Sequence, residues 1–356
     1  MRVLVLKDFG HMAVEERPDP VPGPSDVLIE IVATGICGSD VHGFSGENGR
    51  RIPGQVMGHE TVGRVRALGS ATTALEIGQP VTVNPVVIPE SARSEYVGRE
   101  QHCPDKYVIG VRADRSAAFA ELLVAPVSNV VPIPAATPIL LGALIEPLAV
   151  AVHAITRVDP QPGERVLVVG GGPIGQSVAL ALSLMTGEEA VVAEIDPSRR
   201  ALIERLGART LDPQAPTFAE EVRRQLGGEA DVVIDAVGVE ATLRTAFAVS
   251  RLGARICLVG MGAPVVPLDA FRISVEERTL VGSFTYSDDD FRRAASMIGD
   301  APARAGVLIS ELVPLADGPV AFERAAAGAG APGKTLVQFG EPETRSTTPP
   351  LTACRL

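Results

Sequence analysis

Lysine is nearly missing from this sequence. It stands at positions 7, 106 and 334, and arginine supplies almost all the positive charge. Acids outnumber bases 43 to 32, for a formal net charge of −11. A surface so negative repels nucleic acid and anionic membranes, so neither is expected as a partner. No uncharged apolar run approaches the ~20 residues that a spanning helix needs. The richest stretch, 139–154, carries Glu146 and Pro147. The apolar start Val3–Leu6 is cut short by Lys7 and Asp8, with no small-residue cleavage site after it. No secretory signal is therefore expected, and the cytoplasm is the expected location. Cysteine is scarce as well. Cys37, Cys103, Cys257 and Cys354 lie far apart, which argues against a disulfide framework and leaves burial or metal binding. No internal repeat is present.

The rest of the composition is ordinary for a globular protein, 46% hydrophobic and 21% charged over 356 residues. That length suggests two domains. Up to about residue 140 the chain reads as β-rich. Short apolar runs such as Arg2–Lys7 and Asp26–Thr34 stand between Pro/Gly/Ser breakers, and Gly58–Leu68 reads as a strand with a bulge. From Arg165 the grammar becomes strand, helix, strand. Strands at 165–170, 190–195, 230–237, 254–259 and 279–284 alternate with helices at 173–185, 198–206, 217–226 and 241–250. Strands that are apolar throughout predict a parallel sheet covered on both faces. Two more helices (291–298 and 320–327) and a strand (335–339) follow, before a Pro/Thr-rich tail expected to be disordered.

Gly170-Gly171-Gly172-Pro173-Ile174-Gly175 holds the spacing G-x-G-x-x-G between an apolar strand and a helix. That context makes it a dinucleotide site. Gly170 permits the tight turn, Gly172 lets backbone approach a pyrophosphate, and Gly175 permits close helix packing. The helix N-terminus then offers N–H groups to phosphate. Glu194 ends the next strand, where a carboxylate accepts hydrogen bonds from ribose hydroxyls and repels a 2′-phosphate. NAD is therefore expected over NADP, although Arg199 and Arg200 are near enough to accommodate that phosphate. Asp196 before Pro197 suits a helix N-cap.

A second constellation lies upstream. Cys37-Gly38-Ser39-Asp40 is followed two residues later by His42, and Gly58-His59-Glu60 comes after it. Thiolate, imidazole and carboxylate together suit tetrahedral zinc with one position left for water or substrate. With Leu144–Leu148, Gly170–Gly175 and Gly282-Ser283-Phe284-Thr285-Tyr286, these segments resemble the medium-chain zinc alcohol dehydrogenases. The likeness is to their polyol branch of sorbitol, butanediol and threonine dehydrogenases, and it extends to about Gly340.

The resemblance implies an α/β two-domain fold. Residues 1–150 with 287–340 would form a GroES-like β-barrel catalytic domain. Residues 151–286 would form a Rossmann doubly wound parallel-sheet domain, and 341–356 a flexible tail. It implies Cys37, His59 and Glu60 as zinc ligands, with Glu146 as a further ligand or as partner to the bound water. Ser39 would be the proton-relay hydroxyl, with His42 as a weaker candidate. Cofactor contacts would come from Gly170, Gly172, Pro173, Ile174, Gly175, Glu194 and Arg199. The implied activity is hydride transfer between NAD and a secondary alcohol (polyol, diol, cyclitol or sugar-like), giving a ketone in a homodimer or homotetramer. A regular strand points neighbours to opposite faces, so joint ligation by His59 and Glu60 requires a local bend. The alternatives are a zinc-free quinone or enoyl reductase on the same fold and a non-catalytic dinucleotide-binding protein. The family's structural zinc would need cysteines at positions 89, 92, 95 and 103. Pro89, Ala92, Glu95 and Cys103 stand there, so one catalytic zinc per chain is expected. Thr285-Tyr286 replaces the Arg-Tyr pair of the sorbitol enzymes. Phe44, Phe119, Phe284 and Tyr286 are candidate pocket walls that equally suit a core, and Arg50-Arg51 reads as an exposed, solvated pair ahead of a contact to a polar or anionic substrate group.

Overall fold

The computed structural model describes residues 1–340 except 48, 73 and 116. The tail expected to be flexible, 341–356, lies outside the described residues. Two sheets organise the chain. The first is a bent, largely antiparallel sheet centred on the ten-residue strand Asp26–Gly35. From Val27 to Gly35 this strand pairs with Glu60–Leu68. On the other edge, Leu122–Pro126 takes the first half and Lys334–Gln338 takes the end. Register shifts leave Val32 and Arg66 as extra residues. Such bulges bend the pair and curl the sheet around its core, as the glycines and charges of 58–68 predict. Inside lie Leu4, Leu6, Ile29, Phe119 and Phe322, all fully buried. The strand Ile309–Pro314, parallel to Lys334–Gln338, was not expected from the sequence.

The second sheet has six parallel strands in the order Arg209–Leu211, Val191–Ala193, Val166–Val169, Ala230–Asp235, Ser250–Leu258, Thr279–Gly282. Numbered along the chain this is 3-2-1-4-5-6, the doubly wound order whose cofactor crevice lies at the carboxyl ends of the strands. Leu167 and Val169 join the cluster on one face and Val168 the cluster on the other. Burial on both faces is why these strands carry no polar alternation.

Helix Ile145–Val158 packs against helices Pro173–Thr186 and Asp288–Asp300, and its apolar surface continues to Val62 and Ala33 of the first sheet. The segment 139–158 is long and apolar enough for a membrane span by composition. Here a 3₁₀ turn runs into this helix, and most of it is buried inside the protein.

Candidate active site at the Cys37–His59–Glu60 cluster

Strand Asp26–Gly35 delivers the chain to Cys37, the N-cap residue of helix Gly38–Phe44. Asp40 reaches back to accept from the Cys37 amide at 3.3 Å, so the sulfur stands at a helix entrance. Strand Glu60–Leu68 brings the second arm. Gly58 has φ +97°, and a Cβ there would lie 2.8 Å from the Phe119 amide nitrogen. Only glycine makes this turn against that backbone, and it supplies the bend that two adjacent ligands require. Gly35 faces Glu60 across the sheet, and a Cβ on it would lie 2.3 Å from Glu60 Oε2. The result is a cluster in which donor atoms of Cys37, His59 and Glu60 lie within 4.8 Å of one another.

Buried charges surround it. Lys334 Nζ lies 2.7 Å from both Glu60 oxygens and 3.4 Å from the Ile36 carbonyl, with lysine and glutamate both buried. Asp40 Oδ1 lies 3.6 Å from His59 Nδ1 and 3.4 Å from Arg51. Glu146, second residue of helix Ile145–Val158, accepts a 2.9 Å bond from the fully buried Tyr286 hydroxyl. Burial pushes the Glu146 carboxyl up to about 7, His59 opposes this, and Glu60 adds to it. For His59 burial disfavours the cation, yet Asp40, Cys37 and Glu146 together hold its pKa well above the ordinary value.

With Cys37 as thiolate, four acids (Cys37, Asp40, Glu60, Glu146) face two bases (Arg51, Lys334). The remaining two negative charges match one divalent cation. A sulfur, nitrogen and oxygen donor set suits zinc. The donors present therefore fit that metal. The carboxylate beside His59 is the arrangement that orients a ligating imidazole.

Other expected site residues fall as follows. Ser39 is half-buried on the same helix, two residues from Cys37. His42 points outward, with Nδ1 2.9 Å from the exposed Glu47 carboxylate. Phe44 and Phe119 pack on Phe322 in the barrel core and are not pocket walls. Arg51 is 2% exposed and belongs to the site, because Asp40 neutralises it; the expectation of a solvated pair fails there. Lys334, Asp40 and the Tyr286–Glu146 bond were not anticipated.

At the glycine turn, Gly170 has φ +94° and a Cβ on Gly175 would lie 1.8 Å from Gly170 O. Gly172 has open space beside it, with Arg199 Nη1 at 4.0 Å as its nearest neighbour. Pro173 opens the helix and Ile174 follows, half-buried. Glu194 is buried and accepts from Gly171 N at 2.5 Å and Asp196 N at 2.7 Å. Asp196 caps its helix through Ser198 N and Arg199 N. Arg200 is spent on the carbonyls of Glu194 and Ile195.

A metal-binding cluster beside a doubly wound sheet with a dinucleotide turn defines a metal- and dinucleotide-dependent oxidoreductase. Residues 23–135 match the alcohol dehydrogenase GroES-like domain, and residues 173–300 match the zinc-binding dehydrogenase family. L-galactonate-5-dehydrogenase of Escherichia coli is 33% identical over 326 residues, 91% of this chain and 95% of that one. D-xylulose reductase A of Aspergillus niger is 31% identical over 343 residues, 94% and 95% of the two chains. The structure of a zinc-binding dehydrogenase from Sinorhizobium meliloti bound to NADP superposes with a TM-score of 0.85 at 28% identity, over 95% of this chain and 99% of that one. The chain belongs to the zinc-binding alcohol dehydrogenase family, as an alcohol oxidoreductase using zinc and a pyridine nucleotide. Nothing in the site or the comparisons favours the zinc-free reductase or the non-catalytic binder.

Proposed function

We propose that the protein oxidises a secondary alcohol carrying neighbouring hydroxyls, a polyol, diol, cyclitol or sugar-like molecule, to its ketone with NAD. The carrying observation is the Cys37–His59–Glu60 triangle with Glu146 beside it. Two features favour a hydroxyl-rich substrate. The Ser283 and Thr285 hydroxyls are buried without protein partners. Thr285 also sits at φ +50°, a strained conformation for a β-branched residue, and such strain concentrates at functional sites. Two curated relatives are L-galactonate-5-dehydrogenase and D-xylulose reductase A.

Bound at these donors, zinc supplies a Lewis acid that lowers an alcohol's pKa, and the nucleotide supplies the hydride acceptor. Cys37, His59 and Glu60 hold the metal, and Asp40 orients His59. Glu146 would be a further ligand or the partner of the metal-bound water, with Tyr286 donating to its Oε1. Ser39 is the hydroxyl that passes the proton toward solvent. The metal is one per chain. Among the described residues, no other three histidine, cysteine or acidic side chains gather at ligand distances.

NAD is preferred because the buried Glu194 places a negative charge where a 2′-phosphate would sit, although Arg199 stands close by. Residues 1–150 with 287–340 form the catalytic domain and 151–286 the nucleotide domain, joined through helix Ile145–Val158. The cytoplasm fits the free Cys37, Cys103 and Cys257. A homo-oligomer fits the outer edge of Thr279–Gly282, which pairs with no further strand among the described residues, and the exposed Val265, Leu268, Phe271 and Val275 that precede it in the chain.

The test is a panel of vicinal diols, sugar alcohols, cyclitols, sugar acids and simple primary alcohols, assayed with NAD. Efficient turnover of primary alcohols with the polyols inert overturns the substrate class.

A further inference from the structure

The dinucleotide turn and the metal cluster belong to different sheets, yet one side chain lies between them. Gln176, in the first turn of helix Pro173–Thr186, is 1% exposed. Its Nε2 donates to Gly171 O and to Pro332 O, each at 2.7 Å. One end of this bridge is Gly171, between the first two glycines of the phosphate-binding motif. The other end is two residues before Lys334, at most ~7 Å of extended chain. Lys334 Nζ holds Glu60 and the Ile36 carbonyl that precedes Cys37.

The segment between has little slack. A Cβ on Gly333 would lie 2.5 Å from Leu308 O, 2.6 Å from Ser310 Oγ and 2.9 Å from a methyl of Leu202 on the Rossmann helix Pro197–Arg205. The amides of Gly333 and Lys334 are tied to Ser310 Oγ and Leu308 O, and Ile36 N is tied to Thr335 O. A segment so held shifts as a piece. Packed or hydrogen-bonded elements of this kind carry coupling between sites.

We propose that Gln176 is a positioning residue that couples occupancy of the dinucleotide turn to the grip of Lys334 on Glu60, and so to retention of the metal. The reasoning rests on the proposed metal site. Phosphates bound at the turn order Gly171, Gln176 holds Pro332 in register with it, and Lys334 keeps the Glu60 carboxylate and the Cys37 arm together. By linkage the effect is reciprocal, and a bound metal tightens nucleotide binding by the same factor.

The experiment uses the zinc-loaded full chain and ADP-ribose, which fills the phosphate site but has no nicotinamide ring to cover the metal. Zinc release to a chromogenic chelator is timed with and without saturating ADP-ribose. In the parent protein ADP-ribose should slow release about threefold or more. In Gln176→Leu, with ADP-ribose binding confirmed, the two rates should become equal. Lys334→Met should also equalise them, and Lys334→Arg should restore the difference. These Lys334 variants carry the test if Gln176→Leu does not fold. Equal rates in the parent, or an undiminished difference in Gln176→Leu, would overturn the coupling. A separate outcome, full zinc content in Cys37→Ala, would overturn the metal site itself.

Discussion

Removing the metal should cost this protein more stability at pH 8 than at pH 6. The reason is the proton occupancy of Glu146 and His59. In the metal-free chain burial raises Glu146 from 4.5 to about 7. The folded chain therefore holds a proton that the unfolded chain has released, and stability falls as pH rises through that interval. His59 is held well above 6.5. Its contribution is present below pH 6.5 and is lost as pH climbs through the raised value, so both groups act in the same direction. A divalent cation reverses this, because both groups are then deprotonated ligands or partners, and metal affinity rises with pH. Between pH 6 and pH 8 the comparison spans only the last unit of the Glu146 interval, so at 1.36 kcal/mol per unit Glu146 contributes about 1.4 kcal/mol, to which His59 adds. For a chain of this size the Glu146 part is a change of about 2 °C in Tm. The assay is thermal unfolding by circular dichroism, with and without chelator, at the two pH values. The chelated protein should remain folded at 25 °C, and its Tm deficit should grow with pH. Glu146→Gln should flatten most of the slope of the chelated form. A deficit that shrinks with pH, or an unchanged slope in Glu146→Gln, would refute the charge argument.

Cys37→Ala should abolish turnover and bound zinc yet still bind NADH, weakened only by the coupling factor of about threefold or more, since the Gly170–Gly175 turn stands on the other sheet; metal analysis and a fluorescence titration with NADH check this. The parent enzyme should show the higher kcat/KM with NAD, and Glu194→Gln should narrow the NAD:NADP ratio by about tenfold, the worth of one charge-assisted contact. A parent preference for NADP would shift the assignment to Arg199.

Much of this architecture could be read in the residues because periodicity is a local signal. The apolar 166–169 strand and the Val232–Ile234 run announced a sheet buried on both faces, and the glycine spacing at 170–175 announced its turn. Strand Ile309–Pro314 was missed because its burial alternates weakly and it carries Glu311 and Pro314. The metal donors were found as pairs of neighbours. Their supporting charges were not, because Lys334 lies 274 residues from Glu60 in sequence and no local pattern reports such a partner. A signal was nevertheless present: in a chain that uses arginine almost throughout, a lysine is an exception. Arg51 shows the opposite failure. Two adjacent arginines between glycines look solvated, and only the fold brings Asp40 within reach.

The lobe between Asn84 and Cys103 raises a different question, since the proposed single zinc requires something else to hold it. Arg93 stands among the positions where structural ligands would be and reaches three places at once. Its guanidinium donates to Ser128 Oγ at 2.5 Å and Asn129 Oδ1 at 3.1 Å on the barrel, meets Glu90 within the lobe at 3.1 Å, and lies 3.6 Å from Asp288. Asn84 and Glu100 reinforce the last link, through the Asp288 carboxylate and amide. Asp288 lies two residues after Tyr286, so the clamp that fastens the lobe also steadies the turn that holds Glu146. Burial, together with the nearby Glu100, raises the Asp288 carboxyl, and Arg93 opposes that rise. Arg93→Ala should therefore cost about 2 kcal/mol, the worth of one charge-assisted hydrogen bond lost from a partly buried site. The loss should be local: trypsin should cut faster at Arg99 and Lys106, while amide exchange in strands 166–169 and 230–235 stays slow. Uniform loss of protection across both sheets would mean that Arg93 supports the whole fold. Unchanged proteolysis would mean that the lobe's own turns suffice.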